Sequence, residues 1–311
     1  MYRKIHPQRL KKGDTIGIVA PACHFDPQNF RKGIRYLKEL GYIVKYDPII
    51  FKKYWTLAGK DASRAKQINR MFADRTVKAI FCADAGYGSI RTIPHLDRWI
   101  IARNPKIFVG YSDITVLLYY LHKTAKMVVF HGPVVSGEIH EKTNPKTLSS
   151  LFNIISQPRP FGEISSPSIK CVRPGKATGQ LIGGNLTLIM STIGTRYDLK
   201  TDRKILFLED VGESLEGIDS CLMHLKLAGK LSKVNGIIFG KMKDCIDFSG
   251  SSYSIKDVLS DILGDMDIPI IYGFPSGHRI AGELNITLPL GVSVTIDADK
   301  RKVIINEPAV R

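Results

Sequence analysis

The chain has 311 residues, 44% hydrophobic and 24% charged, which is normal for a soluble globular protein and long enough for two ordinary domains. Its apolar runs are short and broken by charges, which excludes a membrane span, and its five cysteines form no CxxC pair, which argues against a disulfide framework or a zinc site. Lysine and arginine total 45 against 29 acidic residues, and this net charge of +16 favours an anionic ligand over nucleic acid because the basic residues are dispersed.

The first half of the chain alternates short apolar runs with helical patterns. The N-terminal residues carry positive charge but no apolar segment ahead of TIGIV, so the sequence predicts no signal peptide and a cytoplasmic protein. Helices are predicted after Asp26, which acts as N-cap, over 61–74, and after the glycine-rich stretch at 84–89. The predicted strands are 15–20, 42–46, 77–83, 106–110 and 127–132. This alternation predicts an N-terminal domain with a mostly parallel, flavodoxin/Rossmann-like sheet.

The second half begins after a change in composition. Residues 157–176 contain four prolines, two glycines and three serines and have no helical period. This predicts a linker at 158–176 between an N-terminal domain, 1–157, and a C-terminal domain, 177–311. Beyond the linker the predicted elements are strands at 204–210, 236–240 and 268–273, helices around 218–225 and 254–263, and β-structure at 285–291, 292–297 and 302–307. They predict a β-rich α/β domain.

Ser112 lies where the strand at 106–110 runs into a helix, in the stretch FVGYSDITVLL. A tight strand-to-helix turn exposes a hydroxyl, and neighbouring backbone N–H groups can hold the oxyanion that forms when the serine attacks a carbonyl. Gly110 precedes the serine by two positions, but Ile114 stands where a G-x-S-x-G elbow has its second glycine. On this stretch alone a helix-capping serine is the favoured interpretation, and a nucleophile is the alternative.

The glycine-rich segment DAGYGSIR, 84–91, also lies between a predicted strand and a helix. Its glycines allow the backbone to approach a ligand and to point N–H groups at it. There is no G-x-G-x-x-G and no GK[ST], so the segment fits a phosphate cradle, an oxyanion-binding loop or an ordinary turn between strand and helix.

An acidic pair and a loop histidine follow two later strands. Glu209 and Asp210 end the apolar strand ILFLED, at the edge where parallel sheets form their ligand crevice, although a lone carboxylate more often caps the next segment. His278 lies in the loop GFPSGH just past a strand, and His131 in FHGP is its only rival as a base. Ser112, Glu209 and His278 each follow an apolar strand, in the order nucleophile, acid, base. That order does not identify a fold.

These segments also resemble one known family. The chain is similar to LD-carboxypeptidases of the serine peptidase family S66, which includes muropeptide LD-carboxypeptidases and microcin C self-immunity peptidases. The similarity runs from residue 13 to about 291. The matching segments are GDTIGIVAPA, AGYGSIRTIPHLD, NPKIFVGYSDITVLL, FHGPV, GQLIGGNLTLI, ILFLEDVGE and GFPSGH with NITLPLGV.

The resemblance implies a role for each candidate residue. Ser112 is the nucleophile, Glu209 the acid and His278 the base, and the backbone N–H groups of Gly86 and Asp113 form the oxyanion hole. The family has an N-terminal α/β domain with the serine and a C-terminal domain with the glutamate and histidine. It also implies a cytoplasmic homodimer that needs no cofactor and no metal and acts on recycled murein peptides.

Two residues depart from the family pattern. Members commonly have RGGYG where this chain has Asp84, Ala85, Gly86, Tyr87 and Gly88, so that an acidic residue replaces a basic one. Many also have an arginine about where Ser220 stands in this chain. Neither departure touches the three triad residues, and both bear on the choice of substrate.

The sequence therefore predicts a serine carboxypeptidase that removes D-alanine from murein tetrapeptides, free or sugar-linked. A microcin C-type immunity peptidase with the same chemistry is the nearest alternative. The chain's two tryptophans, Trp55 and Trp99, lie outside the matched segments, which favours the murein substrate. A non-catalytic protein that binds anionic ligands or nucleic acid is an alternative of another class, and the three triad residue types argue against it.

Overall fold

The structure is a computed structural model that describes residues 4–247, 250, 252–278 and 282–311. The strands are β1 (Thr15–Val19), β2 (Ile43–Tyr46), β3 (Val77–Cys82), β4 (Ile107–Gly110), β5 (Val129–His131), β6 (Gly162–Ser165), β7 (Lys170–Arg173), β8 (Lys176–Asn185), β9 (Lys204–Val211), β10 (Gly236–Lys243), β11 (Ile270–Tyr272), β12 (Leu288–Leu290), β13 (Ser293–Asp297) and β14 (Lys302–Ile305). The α-helices are α1 (Pro27–Glu39), α2 (Asp61–Ala73), α3 (Arg98–Arg103), α4 (Thr115–Ala125), α5 (Val135–Glu138), α6 (Pro145–Ser156), α7 (Leu186–Met190), α8 (Leu215–Leu227) and α9 (Ile255–Leu263). Within the described residues, no helix is long and apolar enough to cross a membrane.

The chain divides into two compact units. The first unit comprises Met1–Arg159, Ala281–Gly291 and Pro308–Arg311, and the second comprises Pro160–Ile280 and Val292–Glu307. Both units are therefore built from segments that are distant in sequence. The linear domain limits at 157 and 177 stay a prediction.

The first unit contains a six-stranded sheet in the order β12-β5-β4-β3-β1-β2. Five of these strands run parallel, and β12 pairs antiparallel with β5 at one edge. Residues of β1, β3 and β4 are buried almost throughout, as expected for strands covered on both faces. The predicted mostly parallel α/β sheet is confirmed.

The second unit contains an eight-stranded sheet in the order β6-β14-β13-β8-β9-β10-β11-β7. Its central strands β8, β9, β10 and β11 are parallel, and antiparallel strands flank them on both sides. The predicted β-rich α/β architecture is confirmed. The proline-rich segment contributes β6 and β7, the two outer strands, and its four prolines lie outside both strands.

Local sequence accounts for the start of α1. The Asp26 carboxylate accepts hydrogen bonds from the backbone N–H groups of Gln28 and Asn29 at 2.9 and 3.4 Å, and Pro27 fills the first helical position. The helix predicted after the glycine-rich stretch is different in the structure. Residues Ser89–His95 form a 3₁₀ helix with Pro94 inside it, because proline removes a backbone donor and prevents regular α-helical bonding.

Candidate active site

Ser112 lies on a strained turn between β4 and α4. Its φ is +60°, a left-handed conformation that a residue with a side chain adopts at a cost of about 1–3 kcal/mol. Gly110 permits the turn, because a Cβ atom there would lie 2.9 Å from Ile114 Cγ2 and 3.1 Å from Cys82 Sγ. Ile114, not Ser112, occupies the N-cap position of α4. The geometry is therefore that of an elbow that presents the serine, and it does not favour a capping role.

The Asp113 side chain fixes the glycine-rich loop beside this turn. Its carboxylate accepts hydrogen bonds from the N–H groups of Gly88 at 3.1 Å and Ser89 at 2.8 Å, and Ser89 Oγ donates to the Asp113 carbonyl oxygen at 2.6 Å. Burial raises the pKa of Asp113, and these hydrogen bonds oppose the rise. Asp113 thereby links two segments whose backbone N–H groups are candidates for an oxyanion hole.

Gly86 lies at the tip of the same loop with φ +97°. A Cβ atom there would lie 2.8 Å from Cys23 Sγ, so both backbone conformation and space require glycine. The next residue, Tyr87, donates its backbone N–H to Cys23 Sγ at 3.1 Å. Cys23 therefore supports the loop, and no sequence pattern predicted this contact.

Arg64 on α2 is a further support that the sequence analysis missed. Its side chain is fully buried, and its guanidinium donates to the carbonyl oxygens of Gly88 at 2.8 Å, Gly59 at 3.1 Å and Pro21. Asp61 pairs with it at 2.5 Å. A signal was present in the sequence, because Arg64, Ile68 and Met71 follow the i, i+4, i+7 spacing of the buried face of α2. A guanidinium on a buried face indicates backbone carbonyls in need of donors.

Asp84 begins the glycine-rich loop where the family pattern has a basic residue. Burial raises its pKa to about 6, and the nearby negative charge of Glu138 adds to the rise. Glu138 in turn accepts a hydrogen bond from the Tyr111 hydroxyl at 2.7 Å, and Tyr111 directly precedes Ser112. Ser220, the other departure, lies exposed on α8.

Glu209 and His278 form a direct pair in the second unit. Glu209 is fully buried near the end of β9, and its Oε2 lies 2.6 Å from His278 Nδ1 and also accepts the His278 backbone N–H at 3.1 Å. Gly277 allows this approach, because a Cβ atom there would lie 2.7 Å from Glu209 Oε2 and its φ is +111°. A carboxylate at Nδ1 favours the tautomer with the proton on Nδ1, which leaves Nε2 as a base.

Asp210 points to the other face of β9 and has a structural role. Its carboxylate accepts hydrogen bonds from Asn185 Nδ2 at 2.9 Å and from the backbone N–H and hydroxyl of Thr187 at 2.9 and 2.8 Å. Side chains of successive residues in a strand alternate between faces, so the two acids are separated. Of the two, Asp210 bonds the start of α7, which precedes it in the chain, and Glu209 orients a histidine.

His131, the rival base, is fully buried at the end of β5. Its ring packs edge-on against Tyr111, with 5.7 Å between ring centroids. His278, by contrast, keeps 16% of its side chain exposed. The exposure and the carboxylate partner favour His278 as the base. Across the described part of the chain, no group of three or more histidine, cysteine, aspartate or glutamate side chains is placed to hold a metal ion.

The structure thus gathers the predicted residues into two groups. Ser112, Asp113 and the Gly86 loop lie together in the first unit, and Glu209 and His278 lie together in the second. The first group offers a strained serine beside clamped backbone N–H groups. The second offers a base with a fixed tautomer. These are the parts that acyl transfer by a serine nucleophile requires.

Comparison with known proteins places both groups within matched segments. Residues 16–132 match the LD-carboxypeptidase N-terminal domain, and residues 178–296 match the LD-carboxypeptidase C-terminal domain. The protein of Bacillus subtilis (strain 168) named "Probable murein peptide carboxypeptidase" is 36% identical over 302 residues, covering 96% of this chain and 93% of its own length.

Two solved structures are similar over nearly the whole chain. The microcin C7 self-immunity protein MccF, in the apo state of an inactive mutant, has a TM-score of 0.90 at 26% identity and covers 98% of this chain and 99% of its own. The muramoyltetrapeptide carboxypeptidase from Oxalobacter formigenes has a TM-score of 0.82 at 26% identity and covers 94% of this chain and 99% of its own.

Proposed function

Since the chain belongs to the LD-carboxypeptidase family, peptidase family S66, we propose that it is a serine carboxypeptidase that hydrolyses an LD-peptide bond in murein tetrapeptides. The product released is the terminal D-amino acid, D-alanine, and the acyl part is freed for cell-wall recycling. The similarity to proteins named for murein peptides and muramoyltetrapeptides supports this substrate class.

The proposed reaction follows from the two groups of residues. Ser112 Oγ attacks the scissile carbonyl carbon while His278 Nε2 takes its proton, and the N–H groups of Gly86 and Asp113 stabilise the oxyanion. The C–N bond breaks as His278 returns the proton to the leaving amine of D-alanine. Water, deprotonated by His278, then attacks the acyl-enzyme and releases the shortened peptide and Ser112. Glu209 stabilises the imidazolium that forms in both steps.

One observation carries the assignment of the nucleophile: Ser112 has a φ of +60° at the turn between β4 and α4. Strain of this kind persists only where the surroundings hold it in place. The surroundings are Gly110 on one side and the Asp113 clamp on the other. A serine that only capped a helix would need no such conformation.

The test is release of D-alanine from a murein tetrapeptide, followed by mass spectrometry. Ser112→Ala should lower turnover about 10⁶-fold, because a triad without its nucleophile loses nearly all chemical rate enhancement. Ser149→Ala, which removes an exposed hydroxyl from α6, is the matched control and should keep full activity. Near-wild-type release by Ser112→Ala would refute the proposed nucleophile. A panel of LD- and LL-linked peptides tests the stereochemistry.

A second candidate keeps the chemistry and changes the substrate. The likeness to MccF favours a microcin C-type immunity peptidase that cleaves a peptidyl-nucleotide. Parallel assays with the murein tetrapeptide and a peptidyl-nucleotide decide between them through the ratio of kcat/KM values. A ratio in favour of the nucleotide substrate would replace the murein assignment.

We further propose that the enzyme is a cytoplasmic homodimer that works without cofactor or metal. Light scattering should give twice the chain mass of 34.7 kDa. Dialysis against a chelator should leave the rate of D-alanine release unchanged. A monomer in solution, or a loss of rate that added metal restores, would contradict the corresponding part.

A further inference from the structure

Trp55 occupies the tip of a tight hairpin and is 71% exposed. Its φ is +55°, a conformation that is a true outlier for a bulky residue and that glycine normally supplies in such turns. Reciprocal backbone hydrogen bonds between Tyr54 and Leu57, at 2.9 and 3.0 Å, close the turn. An exposed tryptophan held in strain at a turn points to a role outside the fold's own packing.

The hairpin is anchored to residues 22–24, which in turn contact the loop that carries Gly86. The Thr56 carbonyl oxygen accepts a hydrogen bond from the His24 N–H at 3.0 Å, and Ala58 donates its N–H to the Ala22 carbonyl oxygen at 3.0 Å. Leu57 is fully buried, and its Cδ2 would lie 2.5 Å from a Cβ atom added at Gly88. The position of Trp55 is therefore tied to the position of the glycine-rich loop.

Tyr87, the residue after Gly86, faces Trp55. The two ring centroids lie 6.0 Å apart at an interplanar angle of 78°, and Tyr87 is 49% exposed. Arg91 hydrogen-bonds the Tyr87 hydroxyl, and Asp61 holds Arg91 at 3.0 Å. Both rings are thus exposed to solvent, and Arg91 restrains the Tyr87 ring. We refer to Trp55 and Tyr87 as the aromatic corner.

Building on the proposed function, we propose that the aromatic corner binds the sugar ring of sugar-linked murein peptides. An aromatic face is electron-rich and attracts the weakly positive C–H groups that a pyranose chair presents on several sides. Two nearly perpendicular rings match such a chair, whereas a flat nucleobase is best held between parallel faces. The corner thereby selects muramoyl-peptides over free peptides.

The length of the substrate agrees with this assignment. Three residues precede the scissile bond of a tetrapeptide, and they span roughly 10 Å when extended. Tyr87 directly follows the proposed oxyanion donor Gly86, and the Trp55 and Tyr87 ring centroids are 6.0 Å apart. The proposal places the sugar at the far end of the peptide on this corner.

A kinetic test compares the muramoyl-tetrapeptide with the free tetrapeptide. Trp55→Gly removes the ring and relieves the strained φ, so the turn is preserved. It should lower kcat/KM for the sugar-linked substrate about tenfold through KM, the loss expected for one aromatic contact, and leave the free peptide within about twofold. Trp55→Phe should restore part of the difference. Equal effects on both substrates, or none, would overturn the proposal.

A binding test separates this proposal from the proposed function. The chain has two tryptophans, so in a Ser112→Ala, Trp99→Phe protein Trp55 is the sole tryptophan reporter. Trp99 lies 61% exposed on α3, outside the aromatic corner. N-acetylmuramic acid should change Trp55 fluorescence in a saturable way even if the enzyme cleaves no murein peptide. A response to AMP and none to the sugar would overturn the sugar assignment.

Discussion

Ser112 and His278 are held in place by different physical means. Around Ser112 the backbone is constrained: Gly110 permits a close turn, and Asp113 bonds two N–H groups of the neighbouring loop. His278 is constrained through its own ring, which lies 2.6 Å from a fully buried carboxylate. The first region depends on the shape of the main chain and the second on the charge of one side chain.

This difference teaches where each region is vulnerable. In the second unit, an isosteric change that removes charge should disturb the chemistry and leave the fold intact. In the first unit, a change that adds one carbon atom should move the backbone groups themselves. Variants of matched size can therefore test both expectations: loss of turnover with an intact fold in the second unit, and displacement of backbone groups in the first.

Glu209→Gln should have the largest effect of the variants that compare the regions. The amide keeps the shape but removes the charge that stabilises the imidazolium in the proposed mechanism, and it can hold the wrong tautomer, so kcat should fall about 10⁴-fold. The Tm should change little. Asp210→Asn is the matched control, since it alters the adjacent carboxyl that caps α7. It should lower Tm and keep kcat within a few-fold, and the reverse pattern would contradict the assignment of the two acids.

Gly86→Ala tests the backbone of the first region. The added methyl would lie 2.8 Å from Cys23 Sγ, and displacement of this proposed oxyanion donor should cost on the order of 10²-fold in kcat. Gly13→Ala is the control, because Gly13 has a similar φ of +87° but open space around its Cβ position. Both variants carry the backbone strain, and Gly86→Ala alone should lose kcat. Equal kcat values would remove Gly86 from the oxyanion hole.

The sequence could predict the elements that carry these residues because their signals are local. Apolar runs in the sequence predicted β1, β3, β4 and β9. The candidate site residues at the ends of strands could be recognised from such runs alone. The resemblance to a family then singled out residues whose individual signals were weak. It also indicated Gly86, for which the local pattern left an ordinary turn equally acceptable.

What the sequence could not show depends on contacts between distant segments. The Arg64 guanidinium reaches three carbonyl oxygens contributed by three separate loops. The outer strand β7 pairs with β11, about a hundred positions further on, so the proline-rich segment gave no local sign of a strand. Trp55 stood outside every matched segment, and only the fold brings its ring beside Tyr87.

Asp113→Asn should have a moderate effect on both stability and turnover. The asparagine side chain has one accepting oxygen where the carboxylate has two, so one of the two N–H groups loses its partner. The free energy of unfolding should therefore fall by about 1–3 kcal/mol. Because the Gly86 loop loses its clamp, kcat should also fall, roughly tenfold. Asp26→Asn is the control, since the Asp26 carboxylate also accepts from two N–H groups, one through each oxygen, at the start of α1. It should lose stability alone; an equal loss of kcat there would show that the clamp is not specific.

Asp84→Asn should have the smallest effect of these variants. It removes the ionisable carboxyl from the first region but keeps a side chain of nearly the same shape. Folding raises the pKa of Asp84 from 3.8 to about 6, mainly through burial. Below pH 3.8 the carboxyl is protonated in both the folded and the unfolded chain. Between pH 4 and 6 the unfolded chain releases this proton first, so the wild type loses stability as pH rises through that window.

The asparagine variant has no proton to lose. Its Tm should match the wild type near pH 4 and exceed it by about 2–4 °C at pH 7. Asp202→Asn, at an exposed position of the second unit, is the control for removal of a surface carboxyl. A Tm difference for Asp84→Asn that is constant across pH would mean that its carboxyl is solvated. In that case the acidic departure from the family pattern would act on the substrate's charge and not on the stability of the loop.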